Sequence, residues 1–594
     1  MKLNTPKNSN LLWIPSQNSI YFLLGIFLIY ALGFFLRLYQ IQQQVLLDDE
    51  WHGLLFAVRK NFWQIIGGSS LGATSALSNL YYWVLLRLVG WSETLIRLPQ
   101  ILSGLGALLI FPFFLRQQFN RRVTLIASYL FAISPLLVFY TRYSRPYSIV
   151  ILLGIAALSF LYAWSQSSKK CYARLYIFCS VVAIWANPAS LITVVTPLIV
   201  VAGIKFFQQR KPSFFSEFNI LPGFEKILLL GFNVFCFILL YYTLIFIKNP
   251  WYWKVTNQYP ESADFQTLAG AVSLLVGTNY LSLTLLFLAL FLIGIRVIHQ
   301  KYPTLGVIFL SVFIGYAFCF SLVAMQMMGS SIVVARYMIV GIPIGLTCIA
   351  VALDECLSRW SHFVKRSLFG SPIVISSALV TFLGAYLWTG PLVNLYRETP
   401  NNFMNHAAFQ YSYRPMDWNW SYDSYIIGGS SMKKEEIPNF YFQLKNQEFV
   451  KAIIEYPMPV GNYFNLYYYY QHFHEKRVFV GYHPKLPINP NRPYQYVFGS
   501  EVIDRIFSRF RHSWKLNFHN LVNMFDVDAV KNSGASYIIL HKHIIREMVP
   551  SRRDLVGKVY GPTYQLKAIY EKEFGDPIYE DQHIFVYAIS PLVK

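Results

Sequence analysis

The sequence predicts a polytopic α-helical membrane protein of about eleven spans with a C-terminal mixed α/β domain on the outer face. Three observations predict it. Of the 594 residues, 55% are hydrophobic and only 13% charged, far from the composition of an ordinary soluble domain. Apolar runs of spanning length recur through the first two thirds of the chain. Basic side chains outnumber acidic ones 27 to 10 over residues 1–390 but only 23 to 19 over residues 391–594. The formal charge of +21 therefore belongs to the short loops between the apolar runs, where it orients helices and meets lipid phosphates, and nucleic acid is not indicated as a partner.

The first run, Ile20 to Leu36, has no small-residue cleavage site behind it and reads as an uncleaved anchor. Further runs begin near Leu98, Val123, Tyr147, Leu175, Ala189, Ile227, Leu281, Leu305, Tyr337 and Ile373. Those at Leu175 and Ala189 are separated only by "NPAS", so one kinked helix is the alternative to two. Lys169, Lys170 and Arg174 before the pair and Lys205, Arg210 and Lys211 after it put basic ends on one side, which requires a hairpin. With the N-terminus in the cytoplasm, an odd number of spans places the loop "LLDDEWHG" (Leu46–Gly53) and everything after about Gly390 outside the cell. The expected location is the plasma membrane, the inner one in a bacterium. Two units follow, a membrane module over 1–390 and an extracytoplasmic domain over 391–594.

Arg142 and Arg145 in "FYTRYSRPYS", Lys248 and Lys254 in "KNPWYWK", and Arg336 in "SSIVVARYM" fall on the outer side, wrong for an orienting role. Arginine at a membrane boundary is costly unless engaged, and its planar fork suits phosphate oxygens. They read as an anion site opposite the acidic loop; the plainer alternative is snorkelling to headgroups.

Asp48, Asp49 and Glu50 are three of the ten acids before residue 391. Carboxylates crowded beside a bilayer repel unless a cation, an arginine or a proton is shared, so they are candidates for general-base or metal work, against a solvated loop or helix start. His52 reads as a boundary residue and Trp51 as an interfacial anchor. The six cysteines have neither disulfide-framework nor metal-ligand spacing, and no metal site is assigned.

After the last run, apolar stretches shorten to strand length. "YDSYIIGG", "KRVFVGY", "ASYIILH" and "QHIFVYAI" are strand candidates, with helical character expected around Gln447–Glu455 and Glu501–Phe510. The aromatic stretch Asn462–Tyr482 is either a sugar-stacking platform or the core of an aromatic-rich domain, and the core reading is favoured. His472 and His474, spaced as neighbours on one face of a strand, would need a third ligand to hold a metal.

"LLDDEWHGLLFAVRK", "NLYYWVLLRLVGWSETLIRLPQILSGL" and "NRRVTLIASYLFAISPLLVFYTRYSRPYSIVILL" together resemble the N-terminal signature of the GT-C glycosyltransferases, in the branch of the protein O-mannosyltransferases and the lipid A aminoarabinose transferase. The similarity runs over roughly residues 20–165. It implies transfer of a sugar from a polyprenyl-phosphate carrier to a lipid, glycan or protein acceptor on the outer side. The family's first-loop Asp-Glu pair would be Asp49 and Glu50, with one acid as base and Asp48 an additional acid. Its Arg-Leu-Pro matches Arg97, Leu98 and Pro99; its Arg-Pro-Tyr matches Arg145, Pro146 and Tyr147; and its late Arg-Tyr matches Arg336 and Tyr337. Relatives often carry a His where this chain has Asn187. A much weaker likeness ties the C-terminal domain to extracytoplasmic domains of bacterial members.

That reaction suits the charge layout. Negative charge developing on a departing lipid phosphate is stabilised by fixed cations, here Arg142, Arg145 and Arg336, and the acceptor's proton goes to a base on the opposite face of the sugar. Asp49 is the expected base, helped by Glu50 or Asp48, and direct displacement inverts the anomeric centre. No cofactor is required, although the acids could hold a divalent cation. Lys248 and Lys254, with Trp251, Tyr252 and Trp253, form a loop that either guides the carrier or is an interfacial aromatic belt; Tyr81, Tyr82, Tyr147, Tyr337 and Trp251 are candidate substrate contacts. The competing readings are a transporter or flippase of lipid-linked sugars, which should show inverted repeats, and a non-catalytic envelope assembly protein.

Overall fold

The structure, a computed structural model, describes chiefly residues 17–38, 61–67, 75–89, 92–210, 265–322, 331–363, 372–389, 437–456, 535–542 and 563–589, with scattered positions between them such as Glu50, Gly53, Tyr470 and His474. It is a helical bundle followed by a small mixed sheet with helices. The helix α1 (Gln17–Leu38) is the first apolar run. Two short helices follow, α2 (Phe62–Gly67) and α3 (Ala76–Leu88), then α4 (Glu93–Gln118), whose N-terminus is capped by the Ser92 hydroxyl accepting from Leu95 N. Next come α5 (Arg121–Ile133), α6 (Pro135–Arg142), α7 (Tyr147–Gln166), α8 (Lys170–Ala186) and α9 (Ser190–Arg210). The membrane part closes with α10 (Phe265–Val276), α11 (Leu281–Lys301), α12 (Pro303–Leu322), α13 (Ser331–Tyr337), α14 (Gly341–Phe363) and α15 (Pro372–Thr389).

Five of the described helices are long and apolar enough to cross a bilayer by themselves, and α5 with α6, bent by 53° at its break, passes the same test as a pair. Helices stand at every position where the sequence predicts a span except Ile227, which lies outside the described residues. Two spans differ in form from the expectation. The one expected from Val123 is broken, because Pro135 supplies no N–H and Ser134 leaves helical geometry with ψ 120°. The one expected from Tyr337 starts at Gly341, after a turn that follows α13.

The pair α8 and α9 is a hairpin. Tyr176 Oη donates to Val194 O at 2.6 Å across 18 residues, which a continuous helix would hold about 27 Å apart at 1.5 Å per residue. Asn187 forms the turn, its Oδ1 accepting from Ala189 N and its carbonyl from Ser190 Oγ. On α11, Leu281, Leu285, Leu288 and Leu292 are exposed while Phe287, Leu290, Val297 and Ile298 are buried, a stripe for lipid beside a stripe for protein. The chain is a multi-pass membrane protein.

The C-terminal part contains α16 (Asn439–Lys445), β1 (Ala452–Tyr456), β2 (Arg477–Val478), β3 (Tyr537–His541), α17 (Thr563–Phe574), β4 (Tyr579–Glu580) and β5 (Ile584–Ala588). The sheet order is β2-β1-β3-β5-β4, parallel through the first three strands and antiparallel at β5 and β4. The mixed α/β class is as expected, and two expected strands are present as β3 and β5. "KRVFVGY" contributes only the two residues of β2 among those described. The helix expected over Gln447–Glu455 is instead a turn leading into β1, because Ile453 and Ile454 are stiff β-branched residues buried between neighbouring strands. "YDSYIIGG", Glu501–Phe510 and the boundary near residue 390 lie outside the described residues.

Candidate active site

The site is built where the start of α4, the end of α6 and the start of α7 meet the first loop. Glu50 and Arg97 are both fully buried. Arg97 clasps the carboxylate at two points, Nε to Oε1 and Nη2 to Oε2, each 3.1 Å. Ser144 N donates to the same Oε1 at 2.6 Å. A charge removed from water needs such a fork, and a bidentate guanidinium supplies direction as well as charge. This contact ties the acidic loop to the arginine-bearing turn.

Ser144 is the hub. Besides holding Glu50, its carbonyl accepts from Tyr82 Oη at 2.9 Å, its hydroxyl lies 2.6 Å from the same phenol, and it reaches Ile96 O at 3.4 Å. The turn that presents it is tight: Arg145 N donates to Tyr143 O and Tyr147 N to Arg145 O, both two residues back, with Pro146 starting α7. Burial pushes the Tyr82 phenol up to about 12; the Glu50 charge pushes the same way, and the Ser144 hydrogen bond and the Arg145 charge oppose it. Tyr82 is therefore a neutral donor, and Glu50 and Arg145 both lie close to it. The loop packs tightly on α3: a Cβ at Gly53 would come within 3.1 Å of the Tyr82 ring and 3.2 Å of Asn79 Oδ1.

Arg142 is buried at the end of α6 and donates Nη1 to Arg37 O at 3.3 Å. Tyr147 is buried with its ring 4.5 Å from that of Tyr140. Tyr81 donates to Leu95 O at 2.6 Å, which fastens α3 to the start of α4. Arg336 and Tyr337 end α13, the guanidinium carbon 5.5 Å from the neighbouring ring centre. The structure thus brings Glu50, Tyr82 and Arg145 together. Asp48, Asp49, Trp51, His52, Lys248, Trp251 and Lys254 lie outside the described residues. Among the described residues no group of three His, Cys, Asp or Glu side chains could hold a metal; Asp48 and Asp49 fall outside that set. His474 lies in the core of the C-terminal part, its Nδ1 accepting from Lys476 N at 3.0 Å and its ring stacked 5.6 Å from Tyr441; His472 is outside the described residues.

Sequence reasoning left Arg97, Ser144 and Arg37 without roles. Arg97 and Arg37 carried the signal used for Arg142, a guanidinium at the edge of an apolar run. Ser144 carried none, since its work is done largely by its backbone.

Fold and site define a multi-pass membrane protein with a buried acid–arginine clasp at one end of its helical bundle. In overall fold the chain is similar to two structures of ArnT from Cupriavidus metallidurans. For the apo state the identity is 12%, covering 97% of this chain and 99% of that chain, with TM-score 0.48. For the structure bound to undecaprenyl phosphate the values are 13%, 96%, 98% and 0.49. The archaeal oligosaccharyltransferase AglB from Archaeoglobus fulgidus, in complex with an inhibitory peptide and a dolichol-phosphate, is similar at 11% identity over 92% of this chain and 73% of that chain, with TM-score 0.45. No family model and no curated protein matches the sequence.

Proposed function

We propose that this protein is a membrane glycosyltransferase of GT-C type that moves a sugar from a polyprenyl-phosphate carrier to an acceptor outside the plasma membrane. The observation that carries the reading is the clasp of Glu50 by Arg97 and Ser144 N, which fastens the acidic loop beside the turn bearing Arg142 and Arg145. An inverting displacement at a lipid-linked sugar needs a base for the acceptor and cations for the departing phosphate, and the residues next in sequence to Glu50 and Ser144 are of those types. Both oxygens of Glu50 are engaged, so Glu50 anchors the loop, and Asp49 is the general base. Arg145 and Arg142, with Arg336 and the Lys248 and Lys254 loop, take the carrier phosphate. The acids need no metal where arginines neutralise it.

The test uses the full chain in lipid nanodiscs with radiolabelled polyprenyl-phosphate sugars and total membrane lipid and glycan extract. Label should move from carrier to a new product, and Asp49→Asn should abolish transfer while leaving carrier binding intact. Full activity in Asp49→Asn would remove the base assignment. Saturable carrier binding without transfer from any donor would favour a transporter of lipid-linked sugars. Tolerance of change at Asp49, Glu50 and Arg145 together would favour an assembly protein.

A further inference from the structure

We infer that Arg37, at the end of the first span, is the positioning residue that sets the break between α5 and α6 and thereby the placement of the Arg142–Arg145 turn. The last carbonyls of any helix lack partners within it, and in a bilayer no water replaces them. At the end of α5 the deficit is built in, because Pro135 has no N–H to offer Phe131 O four residues back. The side chain that answers it comes from another helix. Arg37 is fully buried and donates Nη2 to Phe131 O at 3.3 Å and Nη1 to Ala132 O at 2.8 Å, with Nη1 also 3.0 Å from Gly33 O. A cation there also meets the negative end of the α5 dipole.

Two further features fit this role. Gly33 lets α1 and α5 approach: a Cβ on it would sit 3.3 Å from Ala132 Cβ and 2.6 Å from a Leu108 methyl. The other end of α6 meets the same residue, since Arg142 donates to the Arg37 carbonyl. Arg37 thus holds the eight-residue α6 at both ends, by its side chain at the break and by its backbone where the arginine turn begins. A helix that starts from a capped 53° bend delivers Arg142, Ser144 and Arg145 to a fixed place. The catalytic consequence rests on the function proposed above; the structural role does not.

The experiment compares Arg37→Met, Arg37→Lys, Pro135→Ala and the double variant Arg37→Met/Pro135→Ala, all as full chains in nanodiscs, by amide hydrogen exchange and by equilibrium binding of radiolabelled undecaprenyl phosphate. In Arg37→Met, exchange over residues 134–147 should rise about tenfold with the rest of the bundle unchanged, and carrier affinity should fall about tenfold. Arg37→Lys, keeping charge and part of the donor set, should show about a third of that effect. Pro135→Ala restores the N–H that Phe131 O lacks, so the double variant should regain protection; because the bend is relieved, it should not regain carrier affinity. If Arg37→Met does not accumulate folded, a double variant that does supports the same conclusion, and one that fails equally overturns it. Unchanged exchange in Arg37→Met, or recovery of both protection and affinity in the double variant, would also overturn it. An unaltered protein that binds no carrier would sink the proposed function, while the exchange pattern would still decide the role of Arg37.

Discussion

Among the described residues two acids are wholly buried against basic partners, and they lead to different conclusions. Glu50 meets Arg97 in a two-point clasp with a backbone N–H alongside. Glu455, on β1, faces His541 on the adjoining β3 at 2.7 Å, with the Tyr441 hydroxyl 3.0 Å from the same oxygen and the Tyr470 ring stacked on both Tyr441 and His541. The second pair belongs to one sheet and one aromatic core. The first joins a loop, a helix start and a turn far apart in sequence; Glu50 follows Asp48 and Asp49 in the chain, and Ser144 lies between Arg142 and Arg145. Burial of charge alone does not mark a site; what the pair fastens together does.

The largest effect should come from halving the first pair. Arg97→Ala leaves Glu50 buried without its counter-ion, a loss of about 3–5 kcal/mol, with carrier affinity lost as well. Thermal unfolding and undecaprenyl phosphate binding in nanodiscs measure both, and an Arg97→Ala protein as stable as its parent would erase the distinction drawn here. In the C-terminal part, Glu455→Gln keeps the shape and one acceptor, so a loss of about 1–3 kcal/mol is expected with carrier affinity unchanged. Weakened carrier binding in that variant would mean that the second pair also serves the site.

Much of this contrast was legible in the sequence, for particular reasons. Apolar length and basic flanks predicted the helices, including the α8–α9 hairpin, because water-free backbone must bond within each span. The acidic loop and the arginine turn stood out because charges are scarce there. That Glu50 is a clasped carboxylate did not follow, since the clasp depends on α4 beginning where it does, 47 residues away. The break at Pro135 was visible as a proline, but not that Arg37, 95 residues from Ala132, would answer it. β1 was misread as a helix because a short apolar run with one acid fits either period until its neighbours are known.

A smaller effect sharpens the first pair. Tyr82→Phe removes the phenol from Ser144 and should cost about 1 kcal/mol, loosening the turn without breaking the clasp. Its folded pKa is raised to about 12 against an ordinary value of 10.0. The stabilisation is therefore fully present below the ordinary value and lost only as pH climbs toward the raised one. The difference in thermal midpoint between Tyr82→Phe and parent should accordingly be constant between about pH 6 and pH 9. A difference that shrinks over that range would mean the phenol ionises and is not the buried donor described.

The smallest stability effect separates the two pairs most cleanly. Replacing both members of a buried pair by apolar side chains of similar volume removes the desolvation penalty together with the attraction, so the net change is near zero or favourable. Glu455→Leu/His541→Leu, made in a Tyr441→Phe background so that no buried hydroxyl loses its acceptor, should leave thermal stability within about 1 kcal/mol of that background and leave carrier binding and transfer untouched. Glu50→Leu/Arg97→Met should also remain folded, yet Ser144 N loses its acceptor, the loop is no longer drawn to the arginine turn, and transfer should disappear. Equal transfer by both double variants would reduce the Glu50 clasp to the same standing as the Glu455 pair. Loss in the first-loop variant alone would identify the clasp as part of the functional site by a measurement that stability cannot imitate.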